Sequence, residues 1–179
     1  FAEMGAINPV FVTSAAITER GEALAKAAVD SALLGSGQFC TKPGLFILPQ
    51  SSAAEFLKVA EQHLETLAVG PLLNKAIADR YSAAIAALSK NGSVKILAGK
   101  TAETGIAVTP TFFVADWSVV SSTPEFLEEH FGPTAVIAIA DEADYVQIAW
   151  SLEGQLTSTI QGTESDSVET LVDVLAHRS

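Results

Sequence analysis

The chain has 179 residues, 49% of them hydrophobic and 17% charged, which is enough apolar material for one well-filled core and too little charge for a disordered segment. Ten Lys and Arg stand against 21 Asp and Glu, and a net charge of −11 with no basic stripe to offset it argues against a nucleic-acid partner. Mean hydropathy is positive, yet apolar runs such as 134–140 fall far short of the ~20 residues a spanning helix needs, so no membrane partner is expected. The single cysteine permits neither an internal disulfide nor a multi-cysteine metal site, and a reducing, cytoplasmic location is expected.

Residues 1–5 read as a strand without a lead-in, Phe1 is not an initiator, and no basic–apolar–small leader pattern is present, all of which suggests a fragment or excised domain. A short apolar strand follows at 9–12. Thr18 is the expected N-cap of a helix reaching about Leu34, with Ala23, Ala27, Val29 and Leu33 among its buried positions and Gly35 and Gly37 at its end. A strand at 45–48 closes at Pro49, and Ser51 or Ser52 starts a helix through Phe56, Leu57 and Ala60 toward Leu67. Asn74 opens a helix carrying Ile77, Tyr81, Ile85 and Leu88, stopped by Asn91-Gly92. Further strands are expected at 94–97, 108–114, 135–139 and 156–160, and helices at 142–152 and 165–177. This near-alternation predicts an α/β domain over 1–179: an open, mostly parallel twisted sheet with helices on both faces.

The most informative stretch runs from Gly35 to Gly44, Gly-Ser-Gly-Gln-Phe-Cys-Thr-Lys-Pro-Gly. Glycines permit close backbone approach, and a thiol held between two such turns can meet a carbonyl carbon while the Cys40 amide faces the oxyanion. A lone cysteine is more often a small buried hydrophobe, and on the residues alone both readings stand.

Gly-Gln-Phe-Cys-Thr at 37–41 resembles the cysteine motif of the aldehyde dehydrogenase superfamily. Phe1-Ala-Glu-Met-Gly5 with Asn8-Pro9 is similar to the family's Glu-Leu-Gly and Asn-Pro segments, and Glu128-Glu-His-Phe-Gly-Pro133 to its Glu-x-Phe-Gly-Pro segment. Lesser matches are Pro71-Leu72, Pro110-Thr111 and Gly154-Gln-Leu-Thr157, so the likeness spans the chain. Among subfamilies it most resembles the 2,5-dioxovalerate (α-ketoglutaric semialdehyde) dehydrogenases.

The resemblance implies roles. Cys40 takes the place of the nucleophile that forms a thiohemiacetal and then a thioester, and Glu3 that of the base activating the hydrolytic water. Glu129 matches the glutamate that bonds the nicotinamide ribose, and Phe131 the aromatic beside the ring, of NAD or NADP. By residue type alone, Glu3 reads as a solvated terminus or helix cap, Glu128-Glu129 as a solvated pair and Phe131 as core. The chain departs from the family at Ala6, where many relatives have glycine, and at His130, where an aliphatic residue is frequent; the usual lysine is missing beside Ala6. His130 reads as an exposed or half-buried neighbour rather than an acid or base, and His63 and His177 as surface residues without metal spacing.

No Gly-x-Gly-x-x-Gly or Walker pattern occurs, so no phosphate cradle is expected within this chain; the resemblance implies that the cofactor-binding and oligomerisation segments of the parent enzyme lie outside it and that the chain alone is a poor dehydrogenase. A weak esterase activity could remain. The implied partners are a small-molecule aldehyde and, in the parent enzyme, further copies of itself. An apolar face left by the missing domain is expected to involve Phe112, Phe113 and Trp117. Alternatives are a CoA-acylating relative, which would not need Glu3, and a non-catalytic binding domain of the same fold; a thiol peroxidase lacks its resolving cysteine.

Overall fold

The computed structural model describes residues 5–101 and 106–178. Among them six strands form one sheet: β1 (Pro9–Val12), β2 (Leu45–Pro49), β3 (Lys95–Ala98), β4 (Thr111–Asp116), β5 (Thr134–Ala140) and β6 (Thr159–Gln161), in the order β3-β4-β5-β2-β1-β6. Every neighbouring pair is parallel except β3 with β4. The connections carry α1 (Ser14–Leu33), α2 (Ala53–Leu64), α3 (Lys75–Leu88), α4 (Trp117–Ser121) and α5 (Tyr145–Ser151), and α6 (Glu169–Arg178) follows the last strand.

Both faces of the sheet are covered, which is why the central strands are apolar throughout rather than alternating with polar residues. Val10 and Val12, Phe46 and Leu48, Phe112 and Val114, and Ala135 and Ile137 pack in one cluster with Val29 of α1, Phe56 of α2 and Tyr81 of α3. The residues between them, Phe11, Ile47, Phe113, Val136 and Ala138, join Ile148 of α5 and Leu171 of α6 on the opposite face. The two-residue period of the strand thus assigns each side chain to one of two cores. Among the described residues no helix is long and apolar enough to cross a membrane.

Several predicted boundaries move for identifiable reasons. The first helix starts at Ser14, because Thr13 caps it: its side chain accepts from the Ala16 amide at 3.1 Å, whereas Thr18 donates to Ser14 O at 2.9 Å from within the helix. The helix breaks at Arg20 (φ −146°, ψ 29°), just beyond the expected cap. Its buried stripe is Ala25, Val29, Ala32 and Leu33; Ala23 and Ala27 fall on the exposed side. The strand expected at 108–114 begins only at Thr111, after Pro110, which has no N–H for the ladder. Phe112 and Phe113, expected on an open apolar face, are 1% and 0% exposed and face the two opposite cores; Trp117 is half-buried. The short α4 and the 3-10 turn Pro124–Leu127 were not anticipated.

Candidate active site

Four of the segments singled out by motif lie immediately before parallel strands: Ile7-Asn8 before β1, the cysteine loop before β2, Glu128–Pro133 before β5 and Gly154–Thr157 before β6. Parallel strands place all these entrances at one edge of the sheet, so topology gathers segments far apart in sequence. Two backbone bonds hold them level, Gly44 N–H to Ile7 O at 2.7 Å and Val136 N–H to Gly44 O at 2.8 Å.

The cysteine loop is built by three successive left-handed residues, Gly35, Ser36 and Gly37, with φ of 59°, 58° and 67°. Ser36 pays for the unusual conformation with a bond from its hydroxyl to Gly70 O at 3.0 Å. Gly37 lies so close to the Gly132-Pro133 backbone that a Cβ there would overlap Gly132, and the Gly132 amide donates to Gly37 O at 3.0 Å. Phe39 folds its ring over Gly35 and remains 50% exposed, and Gln38 accepts from the Leu73 amide at 2.8 Å. Cys40 itself is exposed, which answers the choice left open by the residues: it is not a core side chain. Among the described residues no acceptor meets the Cys40 amide.

Asn8 fixes this loop from below. It is 2% exposed and left-handed (φ 49°), and its Nδ2 donates to Cys40 O at 2.8 Å and Lys42 O at 2.9 Å. Its Oδ1 accepts from the Thr157 amide at 3.1 Å, while Gln155 Oε1 accepts from the Ile7 and Asn8 amides at 2.8 and 2.9 Å. Gln155 and Thr157 are thereby engaged across the sheet edge, and β6 is correspondingly short, starting at Thr159. Asn8→Ala leaves two carbonyls without their donor and places alanine in a left-handed conformation. It is expected to lower unfolding free energy by about 2–3 kcal/mol in urea denaturation. A loss below roughly 0.5 kcal/mol would mean that the clamp contributes nothing.

Lys42 was not singled out by the sequence, and it is the most buried charged side chain of the site at 7% exposure. Its Nζ donates to three backbone carbonyls of one segment, His130 O at 2.9 Å, Gly132 O at 3.1 Å and Thr134 O at 2.8 Å. Burial pushes the ammonium down to about 8, with the Glu129 carboxylate pulling it back up. A charge enclosed in this way needs full hydrogen bonding, and three donors meeting three acceptors supply it.

Glu129 is half-buried and Phe131 is 38% exposed, and together with Ile77, Arg80, Tyr81 and Ala84 they line a cavity of about 370 Å³. A carboxylate and an open aromatic face beside a cavity of this size fit a ribose with its attached ring, so these residues could hold that part of a dinucleotide. Tyr81 steadies the segment from α3: its hydroxyl donates to Thr109 O at 2.7 Å and Pro133 O at 3.1 Å, and its ring abuts Gly132, whose φ of 133° leaves no room for a side chain. Burial raises the Tyr81 phenol well above its ordinary range, which keeps it a donor. Glu3 lies outside the described residues; at Gly5, which is described, a Cβ would sit 3.1 Å from Glu129 Cβ and Oε2. His130 is half-buried with Nε2 bonded to Glu125 O at 2.8 Å, His63 pairs with Asp30 at 2.8 Å, and among the described residues no cluster of His, Cys, Asp and Glu could hold a metal.

The sequence profile of the aldehyde dehydrogenase family matches residues 1–176. The chain is 40% identical over 170 residues to an alpha-ketoglutaric semialdehyde dehydrogenase of Acinetobacter baylyi, covering 93% of this chain and 32% of that protein. It is 37% identical over 169 residues to alpha-ketoglutaric semialdehyde dehydrogenase 2 of Azospirillum brasilense, with the same 93% and 32% coverage. The chain therefore spans about a third of the length of these relatives. The structure superposes on indole-3-acetaldehyde dehydrogenase, solved with NAD+, with a TM-score of 0.82 at 23% identity, covering 99% of this chain and 37% of that one; that likeness is one of fold.

Proposed function

The chain belongs to the aldehyde dehydrogenase family, and on that premise we propose that it is the cysteine-bearing catalytic portion of an NAD- or NADP-dependent enzyme that oxidises a semialdehyde to its carboxylate. The observation that carries the reading is the placement of Cys40: an exposed thiol on a loop clamped by Asn8 and docked against the segment of Glu129 and Phe131. The Cys40 thiolate attacks the aldehyde carbon, and the Cys40 amide faces the oxygen that becomes negative. NAD or NADP, when bound, supplies the hydride acceptor that turns this first adduct into a thioester. With that cofactor bound, Glu129 would hold the ribose hydroxyls and Phe131 would pack beside the ring. Glu3 removes a proton from the water that attacks the thioester carbon, and the thiolate leaves with the carboxylic acid.

The relatives named for α-ketoglutaric semialdehyde support a short anionic semialdehyde as substrate. Phosphate contacts and self-assembly belong, in this reading, to parts of the enzyme beyond these residues, and the enzyme works in the cytoplasm as a homo-oligomer. The protein as its source makes it, mixed with α-ketoglutaric semialdehyde and either NAD+ or NADP+, is expected to yield reduced nicotinamide and α-ketoglutarate in equal amounts. Nicotinamide reduction only after addition of CoA would replace hydrolysis by thiolysis. No reduction across a panel of semialdehydes would end the proposal.

A further inference from the structure

We propose that Lys42 is a positioning residue, whose amine ties the Cys40 loop to the segment carrying Glu129 and Phe131 and so sets the nucleophile against the side chains that contact the cofactor. The proposal rests on the catalytic reading above.

The geometry on the far side of the tie is specific. The three accepting carbonyls belong to His130, Gly132 and Thr134, alternate residues of the bend that leads into β5, where Gly132 has φ 133° and its carbonyl also accepts from the Thr134 amide at 2.8 Å. The bend turns these carbonyls toward one point, a row of acceptors that a single ammonium can satisfy. The row straddles Phe131 and begins one residue after Glu129. On the near side, the lysine backbone is part of the cysteine turn: its N–H donates to Phe39 O at 3.1 Å and its carbonyl accepts from Asn8 at 2.9 Å. The path from Cys40 to Glu129 is therefore two residues, one side chain and one carbonyl. A second tie, Gly37 against Gly132, lies on the other side of Cys40. Together they fix the mutual orientation of the two loops at two points.

Packing alone does not account for a lysine here. An unbranched apolar side chain such as methionine would fill a similar volume without the cost of burying a charge. What methionine could not do is hold three carbonyls of a neighbouring loop in one direction. A displacement of the order of 1 Å between reacting groups can slow a reaction by about 10²-fold, so the tie matters to rate more than to fold.

The test compares Lys42→Met and Lys42→Ala with the parent in the protein as its source makes it. It follows aldehyde oxidation, carboxamidomethylation of Cys40 by iodoacetamide, and amide hydrogen exchange at Gly132. Lys42→Met is expected to keep a cooperative melt and to alkylate Cys40 within about twofold of the parent rate, since the thiol is exposed. Oxidation should fall by about 10- to 100-fold and exchange at Gly132 should quicken by about tenfold or more. In Lys42→Ala, added butylammonium should restore part of the oxidation rate. Unchanged oxidation, or an equal fall in oxidation and alkylation, overturns the proposal. If Lys42→Met does not fold, failure of butylammonium to restore Lys42→Ala overturns it. If the parent oxidises no aldehyde, the catalytic reading has failed separately, and unchanged exchange at Gly132 then rejects the tie itself.

Discussion

Cys40→Ala is expected to lower aldehyde oxidation by about 10⁴-fold or more while shifting unfolding free energy by no more than about 0.5 kcal/mol. The two halves of this expectation come from different observations. Stability is spared because the side chain is exposed and Asn8 grips the Cys40 carbonyl, which alanine keeps. Activity is lost because Cys40, the one cysteine among these 179 residues, is the thiol that forms the adduct with the aldehyde in the proposed reaction. Peptide mapping makes the experiment self-checking: iodoacetamide should inactivate the parent in step with label incorporation at Cys40. Residual oxidation within tenfold of the parent in Cys40→Ala, with its melt intact, would show that the thiol is not the nucleophile.

Much of the sheet could be read from the sequence, because both faces are buried and the strands appear as unbroken apolar runs. Val136 to Ile139 needs no partner information to be recognised as such a strand. Strand order could not be read the same way. β2 pairs with β5 across a little over ninety residues, and nothing local in either strand encodes that neighbour. The site divides similarly. Cys40, Glu129 and Phe131 stand out through motif resemblance, and the structure brings their segments together at one sheet edge.

Lys42 was passed over because its role depends on carbonyls 88 to 92 residues away, and a lysine in a loop ordinarily means a solvated charge. One signal was available: a lone cation between the cysteine and Pro43-Gly44, directly before a strand of five buried residues, has little solvent left to reach. In the sequence Asn8 stands out only as part of an Asn-Pro pair. That it would turn left-handed and reach two carbonyls of the cysteine loop follows from tertiary placement, although asparagine is the residue type that most readily accepts such a backbone.

Gly37→Ala is expected to be the most destabilising single substitution at this edge, lowering unfolding free energy by about 3–5 kcal/mol and abolishing oxidation as well. Two costs add. The residue sits at φ 67°, where a Cβ meets the following carbonyl at roughly 1–2 kcal/mol, and the new methyl would overlap Gly132 and lie 2.8 Å from Pro133 N. Both obstacles are backbone, held by Tyr81 on the other side, so a rotamer change cannot relieve them. Relief requires the two loops to separate, which breaks the Gly132 N–H to Gly37 O bond and moves Cys40 away from Glu129. Gly92→Ala is the natural control. A Cβ there meets nothing within 4 Å, and a change within about 0.5 kcal/mol is expected. Urea unfolding of the two variants side by side measures the difference. A gap below about 1 kcal/mol would mean that the loops are not in backbone contact at Gly37, and the docking on which Cys40's placement depends would have to be abandoned.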